Sequence, residues 1–316
     1  MHELASYQLG IISFGAIAFG VYLLIVGGDW TIDSAVAVAD KSGLSKLFIG
    51  ATIVAFGTSA PELFTSVNAN LSGFPGISVG NVIGSNIANV MLVVAVSAII
   101  APIVVDRSEI RVDVAVMLAA TAAMVAAILY GLVPRWGGIV MVGSIVTYIL
   151  YQYAAAKLDV DELEGSDDEG WKVWAMLAVG LTTLLIGSEI LVQGAVAAGV
   201  AVGVPEAVIG MTMIAFGTSL PELTACVAAA RKSQFDIIVG GILGSNIFNI
   251  LSVMAFSAIA KPLVIDARFA SFDTPVVVAV TMLFAALLLF GGKIGRAAGI
   301  LMLIGYVVFI ASQYLT

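Results

Sequence analysis

Shifted by 160 residues, the chain lies on itself: "IGATIVAFGTSAPEL" (49–63) meets "IGMTMIAFGTSLPEL" (209–223), and "VGNVIGSNIAN" (79–89) meets "VGGILGSNIFN" (239–249). From Ile49 to Asn89 the alignment needs no gap and about half the positions are identical, which marks an internal duplication. Fainter matches extend it, pairing Gly27 with Gly187, Asp29 with Glu189, Pro102 with Pro262, Asp106 with Asp266 and Asp113 with Asp273. The duplicated unit is apolar. Runs long enough to cross a bilayer, which takes about 20 residues, fall at 9–25, 47–71, 77–100, 112–130, 137–155, 173–192, 207–230, 237–258, 274–290 and 294–314. Each half thus holds five spans, and because five is odd the second half enters the membrane in the opposite sense. The expected fold is an all-α polytopic membrane protein of ten transmembrane helices in two inverted five-helix repeats, an architecture of transporters with a site near the midplane. The first repeat covers 1–155, an acidic cytoplasmic linker 156–170, and the second repeat 171–316.

A mean hydropathy of +1.11 and 11% charged residues leave little for a soluble domain. The first run has no basic flank before it and no small-residue cleavage site after it, so it reads as a retained helix. Lys41, Lys46, Arg107, Arg111, Lys157, Lys172, Arg231, Lys232, Lys293 and Arg296 fall on one side, against Arg135, Lys261 and Arg268 on the other. The positive-inside bias puts both termini outside the cell membrane. The net charge of −8 argues against nucleic acid as a partner, and no required protein partner is evident. A single cysteine, Cys226, allows no intramolecular disulfide and no thiolate cluster.

Within this apolar frame, Glu62 and Glu222 each follow a proline. A carboxylate at the bilayer centre costs about 2.5–3.5 kcal/mol on insertion scales, so a compensating interaction is required. Pro61 and Pro221 remove a backbone donor and press on the carbonyl four residues earlier, at Gly57 or Gly217, so the helix is expected to open at Gly-Thr-Ser. An opened turn exposes carbonyls that lipid cannot satisfy and must face protein or a hydrated cavity. Two glutamates with the carbonyls around Thr58 and Thr218 make a hard, anionic oxygen cage suited to Ca²⁺; smaller cages of one carboxylate edge, a hydroxyl and a carbonyl suit Na⁺. In the second motif Ser85 and Asn89 share a helix face, as do Ser245 and Asn249. Gly80, Gly84, Gly240, Gly241 and Gly244 are expected to let helices approach closely and bring these side chains to the glutamates.

"GTSAPE", "GTSLPE", "GSNIAN" and "GSNIFN" together resemble the two alpha repeats of the cation/calcium exchanger superfamily, in particular its prokaryotic sodium/calcium exchanger-like branch, and the resemblance covers nearly the whole chain. It implies a secondary antiporter that exchanges Na⁺ for Ca²⁺ by alternating access, its first and sixth helices sliding against the remaining bundle, with no cofactor beyond the transported ions. It places Ca²⁺ on Glu62, Glu222 and the carbonyls of Thr58 and Thr218. It places Na⁺ around Ser59, Ser85 and the Ala55 carbonyl in one half and around Ser219, Ser245 and the Ala215 carbonyl in the other, with Asn89 and Asn249 beside the centre. Potassium-dependent relatives typically carry an aspartate where Asn249 stands, so K⁺-independent exchange is expected. More than two Na⁺ per Ca²⁺ would make it electrogenic.

The close rival is a Ca²⁺/H⁺ exchanger, but proton-coupled members typically have Gly-Asn-x-x-Glu where this chain has Gly-Thr-Ser-x-Pro-Glu. A passive channel fits an inverted duplication poorly. An intramembrane enzyme is disfavoured because the one histidine is His2 and no His-Glu-x-x-His motif exists. Asp29 and Glu189 are expected to serve structurally at helix ends, and Asp106, Asp113, Asp266 and Asp273 to pair among arginines at the interface. In 157–170, Asp159 and Asp161 begin like a calcium loop, but Leu163, Glu164 and Gly170 break the pattern, so a solvated linker is expected.

Overall fold

The computed structural model describes residues 2–156, 170–201 and 215–313. The acidic linker and the first part of the seventh predicted span lie outside the described residues. The chain is helical: α1 (His2–Ser42), α2 (Lys46–Thr58), α3 (Ala60–Leu71), α4 (Pro75–Ile100), α5 (Arg111–Tyr130), α6 (Arg135–Ala156), α7 (Gly170–Ala201), α8 (Ala215–Thr218), α9 (Leu220–Arg231), α10 (Phe235–Ala260), α11 (Asp273–Gly291) and α12 (Arg296–Gln313). Among the described residues eight helices are long and apolar enough to cross a membrane, nine if the bent pair α2–α3 is one span.

Burial sorts these helices into layers. The apolar stretch of α10 is buried along its whole length and that of α4 along most of it, whereas 17% of the corresponding stretch is buried in α6 and in α12. A helix that is apolar all round and still exposed in the isolated chain is turned toward lipid. Leu129, Trp136, Ile139, Val307 and Val308 are on this outer surface. α1 and α7 run side by side with their backbones nearly touching: a Cβ on Gly27 would lie 2.8 Å from Leu184 N, and one on Gly180 2.7 Å from Thr31 N.

Four two-residue strands tie the halves together. β1 (Ile103–Val104) pairs antiparallel with β4 (Lys293–Ile294), and β2 (Leu132–Val133) with β3 (Leu263–Val264). Each ladder joins one segment from each half, and β1 and β3 are repeat equivalents, 160 residues apart.

Two sequence expectations need correction. α1 and α7 extend well past the predicted runs 9–25 and 173–192, so Asp29 and Glu189 lie within helices rather than at their ends. The helix continues through Asp29 and Asp33 because both carboxylates meet Lys232 beyond the end of α9, at 3.5 and 2.7 Å. The four border aspartates take hydrogen bonds from groups other than arginine side chains, although the Arg111 charge also favours the Asp106 carboxylate. Asp106 accepts from the Ser108 N–H and hydroxyl, which hold its carboxyl below the usual range. Asp266 accepts from the Arg268 backbone N–H (2.9 Å) and Asp273 from Gln313 (3.0 Å). Asp113 is fully buried and accepts from the Tyr148 hydroxyl (2.7 Å) and from Gln152.

Candidate cation site at the broken helices

The proline breaks the helix where the duplicated motif places it. α2 and α3 meet at Ser59 (φ −84°, ψ 8°) with a bend of 44°, and α8 and α9 meet at Ser219 (φ −87°, ψ 3°) in nearly the same conformation. Pro61 and Pro221 stand in the first turn after each break, where the missing N–H is tolerated. Thr58 and Thr218 are the last residues before the breaks, so their carbonyls lie at open helix ends. Upstream of the first break, Gly50–Val54 is wound as a π-helix. Asn89 and Asn249 each open another π-helical stretch, Asn89–Val94 and Asn249–Met254. Such widened turns shift a helix's register and occur often at functional sites.

Both glutamates are buried, Glu62 at 1% and Glu222 at 3% exposure, and lie close enough to interact electrostatically. Each takes at least one partner from across the repeat boundary. Ser59 Oγ donates to Glu222 Oε1 (2.9 Å), and the Thr58 hydroxyl also faces Glu222. Ser85 Oγ donates to Glu62 Oε1 (3.4 Å), and the Thr218 hydroxyl faces Glu62. Ser59 and Ser85, grouped together by their place in one half, therefore serve opposite carboxylates. The Ala55 carbonyl already accepts from Ser59 N (3.0 Å) and Thr58 Oγ1 (3.3 Å). Ala215 opens α8, one turn before the second break.

The amides close the ring. Asn89 Nδ2 donates to Asn246 Oδ1 (3.1 Å) and Asn249 Nδ2 to Asn86 Oδ1 (3.0 Å), two cross-half pairs related by the 160-residue shift. With its amine so engaged, each of Asn89 and Asn249 keeps a free carbonyl oxygen. Ten buried side-chain polar atoms among the described residues lack a hydrogen-bond partner, and six of them are Glu62 Oε2, Glu222 Oε2, Ser219 Oγ, Ser245 Oγ, Asn89 Oδ1 and Asn249 Oδ1. A buried oxygen without a partner is costly, and few are expected in a native chain. All six are hard donors, and the set suits a small inorganic cation. No group of three His, Cys, Asp or Glu occurs among the described residues, so the two carboxylates supply the negative charge.

Of the glycines expected to bring helices together, two do so against described residues. A Cβ on Gly240 would lie 2.3 Å from the Leu47 carbonyl oxygen, and one on Gly244 2.2 Å from that of Ala51. These contacts press α10 against α2, the helix that ends at the break. A Cβ on Gly80 would meet only Phe269, at 3.7 Å; Gly84 and Gly241 have no closer described neighbour than 4.0 Å.

Sequence reasoning missed two polar supports. Asn81 donates to Ser66 Oγ (2.9 Å) and to the Glu62 carbonyl (3.3 Å), tying α4 to α3. Ser188 Oγ on α7 donates to the Gly217 carbonyl (2.7 Å), the acceptor that Pro221 leaves without its helical donor. Neither residue is duplicated, since Gly241 and Gly28 stand at the equivalent positions.

Fold and site together define a multi-pass membrane protein with a buried oxygen cage where its helices break. The family model described as "Sodium/calcium exchanger protein" matches residues 12–154 and 172–315. The sodium/calcium exchanger MaX1 of Methanosarcina acetivorans is 30% identical over 95% of this chain and 97% of its own length. The putative antiporter CaxA of Alkalimonas amylolytica is 35% identical over 94% of this chain and 96% of its own. Among solved structures, the sodium-calcium exchanger NCX_Mj soaked with Na⁺ and Sr²⁺ matches with a TM-score of 0.85 at 33% identity, over 96% of this chain and 99% of that one. The chain belongs to the sodium/calcium exchanger family.

Proposed function

We propose that the protein is an antiporter that exchanges Na⁺ for Ca²⁺ across the cell membrane by alternating access. The observation that carries this reading is the set of six unpartnered, buried oxygens around two facing broken helices, each with its own glutamate. Ca²⁺ lies between Glu62 and Glu222 with the Thr58 and Thr218 carbonyls. Na⁺ occupies the flanks, where hydroxyls gather at each glutamate: Ser59 and Thr58 from the other half beside Glu222, and Ser85 of the same half with Thr218 of the other beside Glu62. Ser219 and Ser245 add free hydroxyls, the Ala55 and Ala215 carbonyls complete the flanking cages, and Asn89 and Asn249 line the centre.

Two carboxylates balance one Ca²⁺ or two Na⁺, so the ions compete for the same groups and cross in separate steps. A third Na⁺ carries an unbalanced charge and makes exchange electrogenic. Both central amides are neutral, which favours exchange without K⁺. The bundle is read as two inverted five-helix repeats, 1–155 and 171–316, joined by a cytoplasmic linker at 156–170, with both termini extracellular. The strand pairing supports this reading, since each ladder joins segments that the topology assigns to the same side. The test is Ca²⁺ uptake into proteoliposomes under an outward Na⁺ gradient, with an outward proton gradient as comparison. Uptake driven by protons and indifferent to Na⁺ would replace this reading with Ca²⁺/H⁺ exchange.

A further inference from the structure

One difference between the two halves of the site breaks the duplication on both sides of a contact. In the first half Asn81 reaches from α4 to Ser66 on α3 and fills the space beside Glu62. In the second half the equivalents are Gly241 and Cys226. Gly241 has no side chain, and a Cβ there would meet only the Gly50 carbonyl, at 4.0 Å. What remains is a small chamber, just large enough for one water-sized occupant, lined by Glu222, Cys226, Ser245, Thr58 and Gly241. Cys226 follows Glu222 by one helical turn on α9 and lies on the same face. Glu222 Oε2 and Ser245 Oγ are buried there without a partner.

We propose that this chamber is a site for a soft divalent cation of the Cd²⁺ class, bound by Cys226 sulfur and Glu222 carboxylate with a hydroxyl oxygen beside them. Sulfur selects soft metals over Ca²⁺ and Na⁺, and a thiolate with a carboxylate matches the charge of a divalent ion. Binding forms the Cd–S bond as the thiol proton leaves to solvent, and no electron is transferred. The apolar walls, Ile32 and Val54 among them, strengthen this pairing by keeping the local dielectric low. A soft cation held there blocks Glu222 from Ca²⁺. Entry to the chamber rests on the ion path proposed above.

Cys226 is the chain's one cysteine, so a thiolate-to-cadmium charge-transfer band reports on this site alone. The experiment titrates the purified full-length protein with Cd²⁺, alongside Cys226→Ser and Cys226→Ala, and measures Na⁺-driven Ca²⁺ uptake for all three. The expected result is a saturable band in the natural protein, no band in either variant, and Cd²⁺ inhibition of uptake weakened about tenfold or more by either substitution. A natural protein that transports Ca²⁺ but shows no band overturns the site while leaving the exchange reading intact. So do variants that take up Ca²⁺ and remain as sensitive to Cd²⁺ as the natural protein. Absence of any Ca²⁺ uptake in the natural protein, with the band present, would count against the exchange reading and not against this site.

Discussion

Gly244→Ala adds one methyl group at the tightest backbone contact between described helices beside the site. Its Cβ would lie 2.2 Å from the Ala51 carbonyl oxygen, 2.7 Å from the Ala51 carbonyl carbon and 2.8 Å from its Cα. All three are backbone atoms, which cannot turn aside as a side chain would. Restoring ordinary contact requires α10 and α2 to separate by about 1 Å, and overpacking of this kind costs typically about 1–3 kcal/mol, with a backbone clash at the upper end. The displacement travels along α2 to the break at Ser59, whose hydroxyl lies 2.9 Å from Glu222. A further 1 Å would dissolve that hydrogen bond, and misplacement on this scale can cost about a hundredfold in rate. The expected outcome is a protein that inserts and purifies but unfolds at lower temperature and takes up Ca²⁺ about a hundredfold more slowly. Gly143→Ala on α6 is the control, because a Cβ there meets nothing within 4 Å among the described residues. Initial uptake rates at matched reconstitution, together with thermal unfolding in detergent, measure both effects. A Gly244→Ala protein with unchanged stability and a rate within about twofold of the natural one would refute the argument that this contact sets the site's geometry.

Glu62→Gln and Glu222→Gln are each expected to abolish Ca²⁺ exchange in a protein that still folds, since either change unbalances the charge at the site while relieving a buried carboxylate; near-normal uptake by either mutant would exclude that residue. Mild acid should slow exchange, because protons compete with the cation for the two carboxylates; the check is uptake as a function of pH at fixed Na⁺ gradient, and a flat profile into mildly acidic pH would contradict it. Replacing K⁺ by choline on both sides under clamped voltage should leave Na⁺-driven Ca²⁺ uptake intact, and loss of most transport would show that Asn249 does not exclude a K⁺ requirement.

Much of the site was legible because its residues are unusual where they stand. A proline before a glutamate in an apolar run has few physical outcomes, and the breaks at Ser59 and Ser219 follow from it. The pairing of the halves was less legible. Aligning the repeats groups Ser59 with Ser85 and Glu62, yet the folded halves cross, so that Ser59 meets Glu222. Sequence similarity reports common descent of two segments and says nothing of which side chain crosses to which. Ser188 escaped notice because its partner, the Gly217 carbonyl, belongs to the backbone. The π-helical turns at Asn89 and Asn249 leave no compositional mark. α1 and α7 were underestimated because hydropathy ends where charge begins, whereas a helix continues as long as its charges find partners, as Asp29 and Asp33 do on Lys232. The glycines of the second motif looked equivalent, but Gly244 is clamped against Ala51 while Gly241 opens a chamber.

The most direct test of the central claim is to locate a divalent cation in crystals of this protein soaked with Sr²⁺ as a heavy substitute for Ca²⁺. The account predicts an anomalous peak between the carboxylates of Glu62 and Glu222, within coordination distance of the Thr58 and Thr218 carbonyls, and its disappearance as Na⁺ is raised. A peak elsewhere in the bundle, or one that persists unchanged in high Na⁺, would contradict it.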